Sequence, residues 1–373
     1  MILDVFIIFF RTFQMPMIRE NTENRLIDLK SMDLQQLTRL MSELNYPAFR
    51  AKQIFKWLSR GANDFFEMRN IPADLRKHLK EIAEIKLLDI ADIQCSSDGT
   101  RKYLFRLNDG SFVESVFMKY RYGNSLCISS QVGCRMGCTF CASTLNGHIR
   151  NLSAGEMLDQ IFQVSRDTEE YIGNVVVMGI GEPFDNYENL SGFIGLANAA
   201  TGLSLGMRNI TVSTCGVVPK ISEFAEDFPQ VNLAISLHAA NDIKRSALMP
   251  VNRIYPLEEL MRACREYTDK THRRITFEYA LIAGETDTDE CASELIKLLK
   301  GMLCHVNLIP LNEVREVGKI SPTRDRITAF AEKLEQGGIN TTVRRSLGSD
   351  ISAACGQLRN ARTKNNYDPD MID

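Results

Sequence analysis

The sequence predicts an α/β protein, in which a small helical domain precedes an open, partial barrel of six parallel strands. Three observations support this prediction. Residues 34–85 show helical periodicity alone. From residue 125 onward, strand-like apolar runs alternate with helix-like stretches, which indicates parallel strands joined by helical crossovers. Polar or glycine-rich residues follow several of these strands, as at the functional rim of such barrels.

Residues 1–31 are expected to be a disordered extension and linker. The apolar run at 5–10 is far shorter than the ~20 residues that a membrane helix needs. It also lacks the basic region and cleavage site of a secretion signal. A frayed extension, or an upstream start codon with Met15 or Met17 as the true start, is favoured over a weak membrane anchor. We therefore expect a cytoplasmic protein with no membrane partner.

Residues 32–92 are expected to form the helical domain. Leu37, Leu40, Met41 and Leu44 recur at helical spacing. The net charge of −3 gives no global nucleic-acid signal, so any RNA binding must come from local basic patches. One such group lies on the second predicted helix, where it is either a solvated face or a phosphate-binding patch. Its members are Arg50, Lys52, Lys56 and Arg60.

Residues 93–124 are expected to be a β-hairpin linker, with strands on either side of the turn Asn108-Asp109-Gly110. The barrel is assigned to 125–358 and a loose tail to 359–373. Barrel strands are predicted at 126–129, 175–178, 210–213, 233–237, 275–279 and 306–309. Helices are predicted at 156–164, 257–267, 292–299 and 327–334.

The strongest motif is a triad of cysteines, Cys134, Cys138 and Cys141, directly after the first barrel strand. A structural zinc ion needs four ligands, and the nearest further candidate is His148. Three thiolates on a four-iron cluster would leave one iron open to chelate a small molecule through an amine and a carboxylate. Ligand number and spacing favour the iron–sulfur cluster over zinc.

The ends of other barrel strands carry candidate ligand-binding groups. Gly181 lets the backbone approach a ligand, and Glu182 could accept a hydrogen bond from an ammonium group. A tight turn with a solvated glutamate is the alternative. Polar side chains that converge on one rim make a binding site. The further candidates at strand ends are Ser213, Ser236, His238 and Asn312.

The other isolated cysteines of the chain are expected to be small buried apolar residues. Two isolated cysteines, Cys355 and Cys127, differ from them. Cys355 lies among small residues, between Gly348 and Gly356, as in a loop that must move. Cys127 lies seven residues before the triad. Exposure and pKa decide whether a thiol is reactive, so its neighbours alone do not establish this for Cys355.

The spacing of the triad, with an aromatic residue before its last cysteine, resembles the radical S-adenosylmethionine (SAM) superfamily. Within it, residues 34–358 resemble the bacterial dual-specificity methyltransferases that form 2-methyladenine in 23S rRNA and tRNA. Four segments of the barrel region carry the likeness, at 129–134, 178–183, 234–238 and 350–358. The segment 47–54 is similar to the family's helical RNA-binding domain.

The resemblance implies a role for each candidate residue. Cys134, Cys138 and Cys141 would hold a [4Fe-4S] cluster. Cys355 would carry the methyl group, Cys127 would resolve the adduct, and Glu114 would be the acid–base residue. The implied SAM contacts are Gly181, Glu182, Ser213, Ser236, Leu237, His238 and Asn312.

The resemblance also implies the chemistry. Carbon 2 of adenine is not nucleophilic, so one SAM methylates the Cys355 sulfur and a second generates a radical on that methyl group. The radical adds to the base and forms a protein–RNA crosslink. Glu114 then takes the ring proton, and Cys127 attacks Cys355 to form a transient disulfide that releases the product. A base must leave its stack to react in this way.

The implied substrates are adenine 2503 of 23S rRNA and adenine 37 of a subset of tRNAs, with phosphates held by basic residues that include Arg344 and Arg345. A one-electron reductant such as flavodoxin would be the partner of a monomeric enzyme. Two alternatives remain open. The first is methylation of carbon 8 of the same rRNA adenine, as in antibiotic resistance. The second is a zinc-stabilised RNA-binding protein without catalysis.

Overall fold

A computed structural model describes residues 26–121, 123–312, 314 and 317–358. The apolar start of the chain and the tail predicted after residue 358 lie outside these residues. Among the described residues, no helix is long and apolar enough to cross a membrane.

The helical region has three helices: α1 (Leu34–Glu43), α2 (Phe49–Leu58) and α3 (Ala73–Ile82). Helix α1 starts at a capping box, in which the Asp33 side chain accepts from Gln36 N–H and the Gln36 side chain accepts from Asp33 N–H. The predicted apolar positions Leu37, Leu40 and Met41 are buried. As predicted, the second helix leaves Lys52 and Lys56 exposed, and Arg60 lies exposed just beyond its end.

Residues 26–31 correct one expectation, because they are ordered and packed rather than part of a disordered linker. Strand β1 (Ile27–Asp28) pairs with β2 (Ala83–Glu84). Lys30 then reaches Asp159 in the barrel with an N–O distance of 2.6 Å, and both side chains are fully buried. The polar sequence did not indicate that this segment packs, because the partner of the buried Lys30 is a carboxylate 129 positions away.

The barrel is part of a ten-stranded sheet with the order β14-β13-β12-β11-β10-β9-β6-β5-β4-β3. Within the described residues, seven of these strands run parallel. They are β6 (Gly123–Ile128), β9 (Asn174–Val177), β10 (Ile210–Thr214), β11 (Asn232–Ser236), β12 (Ile275–Leu281), β13 (Cys304–Pro310) and β14 (Thr341–Val343). The six predicted strands are present, and β14 adds a seventh that is too short to give a pattern.

Helices connect the parallel strands in sequence. The four predicted helices are present as α4 (Ala154–Thr168), α8 (Leu257–Thr271), α9 (Asp289–Leu299) and α10 (Arg324–Gln336). Three more were not predicted: α5 (Tyr187–Asn198), α6 (Val218–Asp227) and α7 (Asp242–Leu248). This architecture confirms the predicted partial barrel with a helical domain before it.

An antiparallel extension continues the sheet beyond β6. It contains the predicted hairpin, β4 (Arg101–Arg106) and β5 (Phe112–Tyr120), and a further strand, β3 (Asp89–Cys95). The hairpin is therefore hydrogen-bonded to the barrel through β5 and β6. Another two-stranded sheet, of β7 (Gln131–Gly133) and β8 (His148–Asn151), flanks the loop that carries the cysteine triad.

Candidate active site

The cysteine triad lies on the loop between β7 and β8, at the carboxyl end of the barrel strands. Its first residue is fixed by a hydrogen bond from Cys134 N–H to the Gly147 carbonyl, at 3.0 Å. Only glycine fits before it, because Gly133 has a φ of +74° and an added Cβ would lie 1.8 Å from the Gly147 oxygen. The loop also docks on α7, where Thr139 N–H donates to the Leu248 carbonyl.

The three thiols of the triad line one cavity at the carboxyl ends of the barrel strands. The cavity brings together residues on or directly after six parallel strands, β9 to β14, and from the loops that carry the triad and Cys355. The predicted residues that line it are Cys134, Cys138, Cys141, Gly181, Glu182, Ser213, Ser236, His238, Asn312 and Cys355.

Glu182 is 4% exposed, and two backbone groups hold its carboxylate. Oε1 accepts from Phe184 N–H at 2.9 Å, and Oε2 accepts from Cys215 N–H at 2.7 Å. Burial raises the pKa of this carboxyl, while the two backbone hydrogen bonds oppose that shift. The side chains of Cys215 and Thr214 also bond to this carboxylate, so several groups fix its position, and this preorganised acceptor suits an ammonium group.

His238 is held in one tautomer. Its Nδ1 accepts from Ala280 N–H at 2.9 Å, so the ring proton is on Nε2. Burial, with a smaller contribution from the nearby Arg245 guanidinium, lowers the pKa of His238 to about 3. The ring packs edge-on against Phe140 of the triad loop, with centroids 4.7 Å apart. His238 is thus a neutral hydrogen-bond donor at the cavity.

The two serines lie on neighbouring strands, with their hydroxyl oxygens 3.4 Å apart. Leu237 differs from the other candidates because its side chain is fully buried in the core. Its backbone makes two hydrogen bonds within the protein: Leu237 N–H donates to the Glu278 carbonyl, and the Leu237 carbonyl accepts from Arg245. Any contact of Leu237 with a ligand would involve its backbone.

Cys355 belongs to a segment at 348–358, here called the cysteine loop, which packs against the open rim of the barrel. Asn312 Nδ2 donates to the Cys355 carbonyl at 3.1 Å. Ala142 N–H, next to the triad, donates to the Gly356 carbonyl at 2.8 Å. The loop therefore connects the predicted methyl-carrying residue to the triad.

The other end of the cysteine loop rests on the turn between β3 and β4. Gly348 N–H donates to Asp98 Oδ2 at 2.9 Å, and Ser97 N–H donates to Asp350 Oδ2 at 3.2 Å. Slight burial raises the pKa of Asp98, but hydrogen bonds from Gly348 and Thr100 outweigh it and lower that pKa to about 2. Sequence reasoning missed Asp98 because its partner is 250 residues away.

Cys127 lines an adjoining cavity together with Cys355, Asn312 and Arg344. Burial and then the neighbouring Cys355 raise the pKa of Cys127 to about 12, although Arg344 opposes the shift. All ten cysteines are free thiols, so the structure contains no disulfide between Cys127 and Cys355. Cys355 is the one residue of the predicted pair that lines both cavities.

Glu114 is buried on β5, outside the described lining of these two cavities. Its Oε1 lies 3.7 Å from Lys102 Nζ. Lys102 Nζ also donates to the Ser352 carbonyl of the cysteine loop at 3.4 Å. Lys102 thus connects Glu114 to the cysteine loop.

Arg344, which was expected to help hold RNA phosphates, borders the cavities instead of lying on the open surface. Its side chain is 24% exposed, and it lines both cavities with Glu278 close by. Arg345, in contrast, is exposed. Sequence reasoning missed Glu278, although a carboxylate between apolar neighbours inside a predicted strand is itself a signal of a buried charge.

The donor set fits an iron–sulfur cluster with SAM beside it. Soft thiols from the triad share the cavity with carboxylates, hydroxyls and an amide, the groups that an amino-acid moiety and a ribose need. Among the described residues, no three His, Cys, Asp or Glu side chains converge to bind a single metal ion. A four-iron cluster distributes its thiolates over separate irons, so its ligands need not converge in that way.

Comparison with known proteins decides the family. The model of the radical SAM superfamily matches residues 128–299, and that of the ribosomal RNA large subunit methyltransferase N-terminal domain matches residues 27–85. A "probable dual-specificity RNA methyltransferase RlmN" of Lachnospira eligens is 52% identical over 89% of this chain and 96% of its own length. A namesake from a Thermoanaerobacter strain is also 52% identical, over 89% and 97%.

The chain belongs to this family of radical SAM RNA methyltransferases. A solved structure, that of a radical SAM methyltransferase from Sphaerobacter thermophilus, has a TM-score of 0.85 and 45% identity. The alignment covers 90% of this chain and 99% of that one. The superfamily uses a [4Fe-4S] cluster and SAM, which confirms the cofactor prediction. The zinc-stabilised, non-catalytic alternative is not favoured.

Proposed function

We propose that this enzyme methylates carbon 2 of an unpaired adenine, at adenine 2503 of 23S rRNA and adenine 37 of a subset of tRNAs. One observation carries the proposal: Cys355 lines both the cavity of the cysteine triad and the adjoining cavity of Cys127. A sulfur in that position can receive a methyl group beside the cofactor and later react with a second thiol. When bound, the cluster and SAM supply the methyl group and the radical chemistry.

The residues of the chain divide the remaining tasks. Cys134, Cys138 and Cys141 hold the cluster, and Glu182 accepts from the SAM ammonium. His238 and the two serines offer hydrogen bonds to the rest of SAM. Asn312 positions the cysteine loop through the Cys355 carbonyl.

Release of the product requires a proton acceptor and a second thiol. We assign these roles to Glu114 and Cys127, which would form a transient disulfide with Cys355. Glu114 is linked to the cysteine loop, because Lys102 contacts both of them.

The helical domain would hold RNA phosphates through Lys52, Lys56 and Arg60, which are exposed. It also exposes Phe66, over whose ring Lys80 lies at 5.0 Å from the centroid, a surface suited to a stacked base. The proposed enzyme is a cytoplasmic monomer, and it takes its electron from a carrier such as flavodoxin.

The test is mass spectrometry of nucleosides after anaerobic incubation of the iron-loaded protein with RNA, SAM and a reductant. The proposal predicts 2-methyladenosine from rRNA and tRNA fragments. Formation of 8-methyladenosine instead would establish the antibiotic-resistance type of reaction. Absence of any methylated adenosine, with the cluster intact, would refute the proposal.

A further inference from the structure

Glu278 and Arg344 form a buried pair at the active-site cavity to which no role has yet been assigned. Glu278 lies on β12 and is 4% exposed. In the sheet it is flanked by Ser236 on β11 and Asn307 on β13. Arg344 follows β14, where its backbone N–H donates to the Leu308 carbonyl at 2.8 Å. Both side chains line the cavity that also contains Cys355.

The two charged groups do not satisfy each other. Glu278 Oε1 accepts from Asn307 Nδ2 at 3.1 Å, which fixes the plane of the carboxylate. Glu278 Oε2 has no hydrogen-bond partner among the described residues. Arg344 Nη1 is the nearest cation to this oxygen, but at 3.9 Å it is too far for a hydrogen bond. A buried carboxylate oxygen left without a donor is costly, so it indicates a ligand group that would donate to it.

The arrangement specifies the chemistry of that ligand. Glu278 Oε2 is an acceptor and the Arg344 guanidinium is a donor, and they lie side by side. They complement a planar group that presents a donor next to an acceptor. Adenine presents this pattern, because its 6-amino group lies next to the acceptor N1 on one edge and N7 on the other. Guanine would instead place its 6-oxo acceptor against the carboxylate.

The position of the pair agrees with the path of a target base. A base that reacts at the Cys355 sulfur must lie against Cys355, and Arg344 lines both cavities that this residue borders. Glu278 and Arg344 also line a third cavity. There the exposed residues Arg121 and Arg345 offer positive charge to an RNA backbone. Glu278 and Arg344 thus border both the active-site cavity and this third cavity, so a nucleotide held in the third cavity would lie next to the pair.

We propose that Glu278 and Arg344 read the amino edge of the target adenine, with Glu278 accepting from the 6-amino group and Arg344 donating to the adjacent ring nitrogen. This inference rests on the proposed function and specifies how its substrate base is recognised. Asn307 orients Glu278 and does not itself touch the base.

The experiment compares RNA hairpins that carry either adenine or purine, which lacks the 6-amino group, at the target position. Dissociation constants are measured with iron-loaded protein and SAM but no reductant, so that no radical forms. The native protein should bind the adenine hairpin about 10- to 100-fold more tightly, the worth of one hydrogen bond to a charged group. Glu278→Leu should bind the two hairpins nearly equally, and Glu278→Gln should keep part of the preference.

Control measurements separate the possible outcomes. Glu285→Gln changes an exposed glutamate outside the site and should keep the full preference. SAM affinity and iron content should be unchanged in the Glu278 variants. No preference in the native protein, a measurement independent of how the variants fold, would overturn the inference. So would a preference that survives in Glu278→Leu, or a loss of SAM affinity with the preference retained, which would assign Glu278 to SAM.

The same native preparation is tested for product after a reductant is added. If the adenine hairpin yields no methylated adenosine, the proposed function fails and the base-reading role falls with it. If methylated adenosine forms but the affinity pattern above is absent, only the role of Glu278 and Arg344 is refuted.

Discussion

The two halves of the active site are built in different ways. The cofactor half consists of strand ends and tight turns, in which backbone groups already hold the functional side chains. Glu182 accepts two backbone N–H groups, and His238 accepts one. The cysteine half is a loop outside the sheet, and its contacts with the barrel include single hydrogen bonds from Asn312 and Ala142. Its other end rests on Asp98.

This difference corresponds to the demands on each half. Ligands of a cofactor need a fixed geometry, which strands and their hydrogen bonds provide. In the proposed mechanism Cys355 reacts first beside the cofactor and later with Cys127, so its support must allow it to move. Separate hydrogen bonds that are not part of a β-sheet allow such rearrangement. The cofactor half is thus expected to respond to mutation through binding, and the cysteine half through later steps.

The largest effect is expected from the triad. Cys138→Ala removes one of three cluster ligands, so iron should be lost and methylated RNA should fall to background. Cys355→Ala should also give no product but should keep iron and bind SAM normally. Iron analysis and SAM binding of both variants check this contrast. Normal iron content in Cys138→Ala would show that the triad does not hold the cluster.

Glu182→Gln should weaken SAM binding by about 10- to 100-fold, because a charged acceptor for the ammonium becomes neutral. The cluster should be retained, since Glu182 is not one of its ligands. Equilibrium binding of labelled SAM to the iron-loaded protein measures the change. An unchanged dissociation constant would remove Glu182 from the cofactor half.

Asp98→Ala should affect only the cysteine half. The loop loses an acceptor for Gly348 N–H, a contact worth about 1 kcal/mol, so product formation should slow roughly fivefold. SAM affinity should not change. Asp92→Ala, a substitution in the adjoining strand β3, is the control and should leave the rate as it is. Equal loss of rate in both variants would contradict a specific role for Asp98.

The smallest effect concerns pH. His238 has a pKa of about 3 in the folded protein against an ordinary value of 6.5, so the unfolded chain binds more protons between these limits. The stability that comes from neutral His238 is fully present above pH 6.5 and is lost as the pH falls towards 3. His238→Asn keeps an acceptor for Ala280 N–H without a titrating ring. Its free energy of unfolding should fall less steeply with acid, by about one proton. Identical slopes from urea titrations would contradict the account.

Local pattern was enough to predict much of this molecule. The six strands and four crossover helices each have a hydrophobic periodicity, and the cysteine triad has a spacing, that can be recognised within a short stretch of sequence. The triad and the strand-end residues could be grouped because parallel strands bring their carboxyl ends to one rim.

What the sequence could not show depends on long-range partners. The packing of Lys30 requires Asp159, and the support of Gly348 requires Asp98. Strand β14 has three residues, which is too few for a pattern. Glu278 could have been suspected from its apolar neighbours, but its pairing with Arg344 follows only from the order of the strands. The link from Glu114 through Lys102 to the cysteine loop is likewise a tertiary property.

The most direct test of the central claim is a denaturing gel of two variants after reaction with labelled RNA, SAM and reductant. Cys355→Ala has no sulfur to carry the methyl group, so no crosslink and no product should form. Cys127→Ala can still form the adduct but cannot release it, so labelled RNA should migrate with the protein. That pair of results would establish Cys355 as the methyl carrier and Cys127 as the resolving thiol. Methylated RNA from both variants, with no crosslink in either, would contradict the account.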